Sequence, residues 1–168
     1  MGVPLLDQIR THAELVIRES IASDVTDMAP RLRIPDMAEI AAATGERPVA
    51  ALGRGFADST PCYTAVFKGR PAAMFGVVPL RVDAFPRTGA IWLLGTDDIP
   101  LFSKSFMRHT GPWLSIVCSG YDQVSNRVDA RNRRHVVWLK RMGFVFLRTG
   151  PMGPYKLPFH EFTKVISV

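Results

Sequence analysis

Side chains able to move a proton are present, but their spacing assembles no site. Glu39, Asp83, Asp97, Asp98, His109 and His135 have the chemistry of a general base, and Tyr121 and Tyr155 that of a general acid. No two of the bases stand at a separation that argues for a shared site, so no catalytic residue is assigned. His135 reads as a core or edge histidine bonded to backbone. The four histidines and two cysteines are scattered, without the spacing of metal ligands, so no metal centre is expected. Cys62 and Cys118 read as reduced, buried thiols. Trp92, Trp113 and Trp138 sit among apolar residues and read as core. Asp122, Asn126 and Asp129 read as turn and strand-end residues.

One group of charges does cluster. Arg127, Arg131, Arg133, Arg134, Lys140 and Arg141 surround a short amphipathic stretch. They read either as the solvated face of a helix, with Lys140 and Arg141 favouring its C-terminal dipole, or as a contact surface for DNA or an acidic protein.

The element that carries this cluster is the most legible in the chain. A strand reads to Arg131, Asn132 is placed to cap a helix, and residues 132–142 have helical spacing. Gly143 stops it, and Phe144 to Leu147 reads as the next strand. Residues 1–15 read as a separate N-terminal helical extension, with Leu5, Leu6, Ile9, Ala13 and Val16 at helical spacing, ahead of a single domain over 16–168. Leu15 to Glu19 reads as a first strand. Ser23-Asp24 reads as a helix cap. Asp36 reads as the cap of a helix ending at Gly45, with Glu39 in the capping-box position. Pro48 opens a further helix. Cys62 to Phe67 and Pro71 to Val78 read as a hairpin about Lys68-Gly69-Arg70. Gly89 to Gly95 is a continuous apolar run suited to a central strand covered on both faces. Pro100 to Tyr121 is helical by pattern, with Gly111-Pro112 expected to kink or split it. Tyr155 to Val165 reads as a last strand after the turn GPMGP. The order implies an α/β fold with a mixed sheet. The Gly-rich dinucleotide fingerprint is absent.

At 168 residues, 47% hydrophobic and 21% charged, the chain is of one-domain size and globular composition. The net charge of +6 and pI near 9.8 admit an anionic partner. The start lacks the charged and apolar regions of a signal peptide, and Leu6 stands where a myristoylation signal carries Ser or Thr. No run has the length of a membrane span.

This order of elements resembles the GNAT acyltransferase fold. That fold ends in V-x-x-x-N-x-x-A-x-x-L-Y-x-x-x-G-F, and Val128, Asn132, Gly143 and Phe144 match it without a gap. The resemblance covers Val16 to Val165. Within it, the chain is similar to the internal virion protein A family of short-tailed phages. The resemblance rests on D-x-x-E-I at Asp36 to Ile40, A-L-x-x-G-F-x-x-S at Ala51 to Ser59 and G-x-P-x-x-M-F-G-V at Gly69 to Val77. A W-x-L-G-T-D strand is approximated by Trp92 to Asp97.

The resemblance implies a test of chemistry. An active member cradles the acetyl-CoA pyrophosphate on free N–H groups at a helix start, reached through a Gly-rich turn. Were acetyl-CoA to bind, the positions carried over would be Leu94, Gly95, Thr96 and Asn132. Here the turn after Gly95 is Thr96-Asp97-Asp98. Each carboxylate at ~4 Å from a phosphate would cost on the order of 4 kcal/mol at an effective dielectric near 20, partly offset by Lys104 and Arg108. The position of the tyrosine acid is held by Leu139, and that of the small motif residue by His135. The expectation is therefore a non-catalytic, cofactor-free GNAT-fold phage protein. It would act in virion assembly, or as an internal virion component, through contacts with other virion proteins or DNA. Its place would be the virion or the host cytoplasm. The alternatives are an acetyl-CoA-dependent N-acyltransferase and a nucleic-acid-binding module.

Overall fold

In the computed structural model, residues 14–166 are described except 82 and 84, and for 105–111 the backbone alone. The helix expected over residues 1–15 lies outside the described residues as far as 13, and Leu15 already belongs to the first strand. The elements are β1 (Leu15–Glu19), α1 (Ala22–Met28), a 3-10 turn (Ala29–Arg31), α2 (Ile34–Ala43), α3 (Pro48–Asp58), β2 (Cys62–Phe67) and β3 (Arg70–Pro79). They continue with β4 (Thr88–Gly95), α4 (Ile99–Val117), β5 (Gln123–Asp129), α5 (Arg133–Arg141), β6 (Val145–Met152) and β7 (Leu157–Val165).

One mixed sheet of seven strands runs β1-β2-β3-β4-β5-β7-β6. The expected hairpin forms, with Lys68 at φ 50° and Gly69 at φ 77° in its two-residue turn, as the twist of paired strands favours. The apolar run becomes β4, the fourth strand. Its only parallel partner is β5, and the two pair over just Thr88–Gln123, Gly89–Val124 and Ala90–Ser125. Beyond Ala90 they diverge, so the sheet forks.

Alternation along the strands assigns the faces. One face carries α1 to α3, packed through Val25, Met28, Ile40, Leu52 and Met74. The other carries α4 and α5, packed through Phe102, Trp113, Val117, Leu139, Val124, Val128 and Phe162. Helix α4 runs on through Gly111 and Pro112 rather than splitting. No helix among the described residues is long and apolar enough to cross a membrane.

Two predicted caps are corrected. Helix α1 starts after Ile21, and Asp24 sits in its first turn, reaching back to the Ile21 N–H at 3.0 Å. Asp24 also takes both Arg18 guanidinium nitrogens at 2.8 Å and the Thr64 hydroxyl at 2.8 Å. Burial pushes its carboxyl up, and these bonds outweigh that and hold it below its ordinary value. Helix α2 starts after Arg33, not Asp36, because Pro35 already has the dihedral of a first turn. Asp36 is buried within that turn and faces the sheet.

The β6–β7 turn presses on the C-terminal end of α2 and fixes that helix over the sheet. Gly153 has φ +71°, and a Cβ there would stand 1.8 Å from the Ala42 carbonyl oxygen. Gly153→Ala combines a left-handed strain of ~1–3 kcal/mol with a backbone clash. A loss on the order of 3 kcal/mol is expected, visible as a lower urea midpoint. An unchanged midpoint would mean that α2 is not held by this turn.

Candidate functional site

The fork encloses a feature with the form of a site. A cavity of about 400 Å³ lies where β4 and β5 separate. On the α2–α3 side it is lined by Glu39, Ala43, Gly55, Trp92 and Phe159, and on the α4–α5 side by Phe75, Trp113, Trp138, Leu139 and Phe144. Trp113 is core, as expected, whereas Trp92 and Trp138 are half-buried cavity walls. Strand β4 is half-buried for the same reason.

Separating two strands leaves backbone groups without partners, and each must be satisfied. At the base of the fork the Asn126 side chain does this for both strands. Its Nδ2 donates to the Ile91 carbonyl of β4 at 2.8 Å, and its Oδ1 accepts from the Arg127 N–H of β5 at 2.8 Å. Asn126 is therefore a wedge in the fork, not only a strand-end residue. At the open end, helix α2 supplies the partners. Asp36 Oδ2 accepts from the Gly95 N–H of β4 at 2.8 Å, and the Arg33 N–H donates to the Gly95 carbonyl at 3.0 Å. One turn later, Glu39 accepts from Asn132 Nδ2 at 3.0 Å, just beyond the end of β5. The D-x-x-E pair thus faces the open fork, Asp36 bonded to β4 and Glu39 bonded to the residue that caps α5.

These carboxylates are buried at different electrostatic cost. Asp36 forms an ion pair with Arg33 at 2.8 Å, and burial still raises its carboxyl above the ordinary value. Glu39 has no such cation. Burial lifts its carboxyl to about 7, against the pull of the Asn132 bond and with the push of the Asp36 and Asp129 charges. His135 stands 3.9 Å from Glu39, its Nδ1 buried and without a hydrogen bond. The expected backbone bond is not made, because Nδ1 faces the carboxylate. Burial, with the charge of Arg33, lowers its imidazole to about 4. Between these values both side chains are neutral. Glu39, Asn132 and His135 meet across more than ninety residues, a separation that no local spacing reveals.

The remaining predicted residues do not join them. Asp97 is exposed, and Asp98 ends β4's turn beside Arg31 at 3.7 Å. Asp83 is an exposed loop residue with φ 60°, and the His109 side chain lies outside the description. Tyr121 gives its hydroxyl to the Thr60 carbonyl at 2.6 Å, and Tyr155 is exposed on the β6–β7 turn. Leu139 is buried core. Among the described residues no three His, Cys, Asp or Glu side chains gather as metal ligands.

The start of α4 decides the fit of a pyrophosphate. The Thr96 N–H donates to Ala72 at 2.8 Å, Asp98 to the Thr96 hydroxyl at 3.3 Å, Ile99 to Thr96 at 3.2 Å and Leu101 to Asp98 at 2.9 Å. Pro100 has no N–H. Asp98 is the N-cap residue, with helical φ of −74° and ψ of −18°, and its side chain makes no cap hydrogen bond. Four of the N–H groups that would hold an anion are thus already bonded, and two carboxylates, Asp97 and Asp98, belong to the same turn. A Cβ at Gly95 would meet Ile99 at 2.0 Å, so the approach to the turn is filled as well. Leu94 faces the α1–α3 core, Thr96 is buried, and Asn132 is divided between capping the His135 N–H at 3.4 Å and holding Glu39. These residues do not fit the diphosphate end of acetyl-CoA.

The basic cluster is divided by the sheet. Arg127 pairs in register with Glu161 on the face opposite α5. Arg131 is held by Asp129 at 2.6 Å. Arg133, Arg134, Lys140 and Arg141 stay together on the outside of α5.

The raised Glu39 value has a measurable consequence. Its folded-state value lies above its unfolded value of 4.5, so its contribution is complete below pH 4.5 and is lost as pH rises through about 7. That shift corresponds to about 3 kcal/mol. His135 acts oppositely, its contribution being lost as pH falls from 6.5 through about 4. Glu39→Gln mimics the protonated carboxyl. Its stability should equal that of the unaltered chain near pH 4.5 and exceed it by up to about 3 kcal/mol at pH 8, read from urea midpoints. A difference independent of pH would remove the neutral-carboxyl description.

Comparison with known proteins places the fold. No family profile and no curated protein matches the chain. Among solved structures, an acetyltransferase of the GNAT family from Streptococcus pneumoniae aligns over 92% of this chain and 100% of its own, at 15% identity and TM-score 0.57. A GCN5-related N-acetyltransferase from Kribbella flavida aligns over 91% and 98%, at 14% identity and TM-score 0.64. The yncA protein from Salmonella typhimurium, solved with its cofactor acetyl-CoA, aligns over 92% and 95%, at 14% identity and TM-score 0.61. The chain has the GNAT fold.

Proposed function

We propose that this chain is a non-catalytic GNAT-fold protein that acts through surface contacts. The observation that supports it is the start of α4, where the N–H groups of Thr96, Asp98, Ile99 and Leu101 are spent within the chain and the turn itself carries the carboxylates of Asp97 and Asp98. A helix start in that state offers no cradle for a diphosphate. The buried Leu139 adds to this, since it has no proton to give to a leaving thiolate. A role in virion assembly, with other virion proteins as partners, is carried by the four phage-like segments alone. In those segments Asp36 and Glu39 are the carboxylates that face the open fork.

A second reading, an acetyl-CoA-dependent N-acyltransferase, is favoured by one observation. Glu39 lines the cavity with its carboxyl lifted to about 7, the range of a base that works at neutral pH. Acetyl-CoA titrated against the melting temperature separates the two. At a hundred times its dissociation constant a ligand adds about 2.7 kcal/mol of stability. No shift is expected up to millimolar acetyl-CoA. A clear rise, with mass-spectrometric acetylation of a lysine peptide that Glu39→Gln abolishes, would replace the first reading by the second.

A further inference from the structure

The net charge of this protein is confined to one part of the chain. Residues 121–168 hold nine Lys and Arg against three Asp and Glu, a net +6, whereas the first 120 residues hold twelve of each and are neutral. The three acidic residues of the basic part are all engaged: Asp122 with Arg87, Asp129 with Arg131, and Glu161 with Arg148. In the neutral part several cations are matched in the same way, while Arg47, Arg81 and Lys104 stand apart, without an ion pair among the described residues. Arg18, Arg31, Arg33, Arg54, Lys68 and Arg70 each form an ion pair.

Helix α5 differs in gathering its unpaired cations on one face. Its exposed residues are Arg133, Arg134, Val137, Lys140 and Arg141. They form one stripe, because positions three, four, seven and eight apart share a helix face. Among the described residues, none of the four cations has a carboxylate within ion-pair distance. Lys140 lies over the Phe146 ring at 5.4 Å from its centroid, which fixes its stem and leaves its charge outward. The opposite face of α5 is spent on the core through Leu139, with Val136, Trp138 and Met142 packed beside it. The helix therefore cannot turn an apolar side to a lipid surface.

We propose that the outer face of α5 binds the phosphate backbone of duplex nucleic acid. Three of its four cations are Arg, whose planar fork matches a phosphate in a bidentate way. From Arg134 to Arg141 the stripe runs about 10 Å along the axis, at ~1.5 Å per residue. A duplex presents one charge per ~1.7 Å of its axis, so several phosphates face that length. A protein partner would need an anchor that the stripe lacks: its single apolar residue is Val137, and no aromatic residue stands on it. The contact is electrostatic and independent of sequence. It deepens the surface-contact reading by naming the partner, and it rests on that reading only for its biological use. The titration with acetyl-CoA and the experiment below read different quantities, so either can fail alone.

The test is the fluorescence anisotropy of a labelled 30-base-pair duplex with the full chain over 50–200 mM salt. Four phosphate contacts give a slope of log K against log salt of about −3.6, a loss of about 150-fold across that range. The variant Arg133→Gln, Arg134→Gln, Arg141→Gln should keep the melting temperature, since these side chains are exposed, and its slope should fall to about −0.9. The matching triple Lys variant should keep the slope. A wild-type slope near zero, or a Gln variant that binds as the wild type does, would overturn the assignment. Equal competition by poly-glutamate of matched charge would overturn it in favour of an acidic protein.

Discussion

Two carboxylates one helical turn apart on α2 hold the open end of the sheet. Once β4 and β5 part beyond Ala90 and Ser125, their facing N–H and C=O groups have no ladder to join. Each group left bare in a partly dry cleft would cost on the order of 1–3 kcal/mol. Asn126 meets that demand at the base of the fork and Asp36 meets it at the top, on β4, while Glu39 ties α2 to Asn132 just beyond β5. Residues three apart lie on the same face of a helix. That spacing lets a single rigid element reach β4 and the cap of α5 at once. The position of α2 then becomes a condition for the fork itself, and the contact of Gly153 with the end of α2 becomes part of the same structure.

This arrangement binds the electrostatics of the site to its architecture. A carboxylate is an acceptor only, so it suits an edge N–H, but it must be buried to reach one. Arg33 relieves Asp36, and its backbone N–H bonds the same glycine from the other side. Glu39 is buried with a hydrogen bond from Asn132 and no cation, which is why its carboxyl stays protonated to about pH 7. His135 shares the site and is neutral for the same reason, dryness. A perturbed carboxyl in a cleft is a frequent mark of catalysis. Here the same value also follows from a structural duty, since Glu39 is buried to hold Asn132, the cap of α5. A raised pKa alone does not choose between the two.

Much of the fold was legible in the sequence, and the site was not. The hairpin, the apolar central strand and the unit from Val128 to Phe144 follow from period, turn chemistry and the Asn132 cap, all of which are local. Asp24 and Asp36 were misread because an acid near a helix start has the same sequence signature whether it caps the helix or turns to the sheet. In both cases the outcome was set by distant partners: Arg18 and Thr64 for Asp24, Gly95 for Asp36. Asn126 looked like a strand-end residue because only the fork, which depends on how far two strands pair, gives its amide two backbone partners. The bond between Asn132 and Glu39 joins an element near the start of the chain to one near its end. Nothing in either local pattern demands it. The basic cluster was likewise read as one surface, although strand alternation already places Arg127 across the sheet from α5.

A shared fold therefore transmits less than a shared activity. The structures it resembles agree with this chain over nearly their whole length at 14% and 15% identity, which is enough to keep the fold. What such agreement does not transmit is the state of the few backbone groups that a fork leaves unpaired. Where those groups and the first turn of the following helix are free, an extended anionic ligand has donors to meet. In this chain Asp36 and Arg33 take the first set, and Thr96, Asp98 and the bonds within the turn take the second. The stretch from Val128 to Phe144 shows both sides of this. Its inner residues, Val128, Asn132 and Leu139, serve the packing and the clamp, while the charges on its outer face remain unmatched by any other part of the described chain.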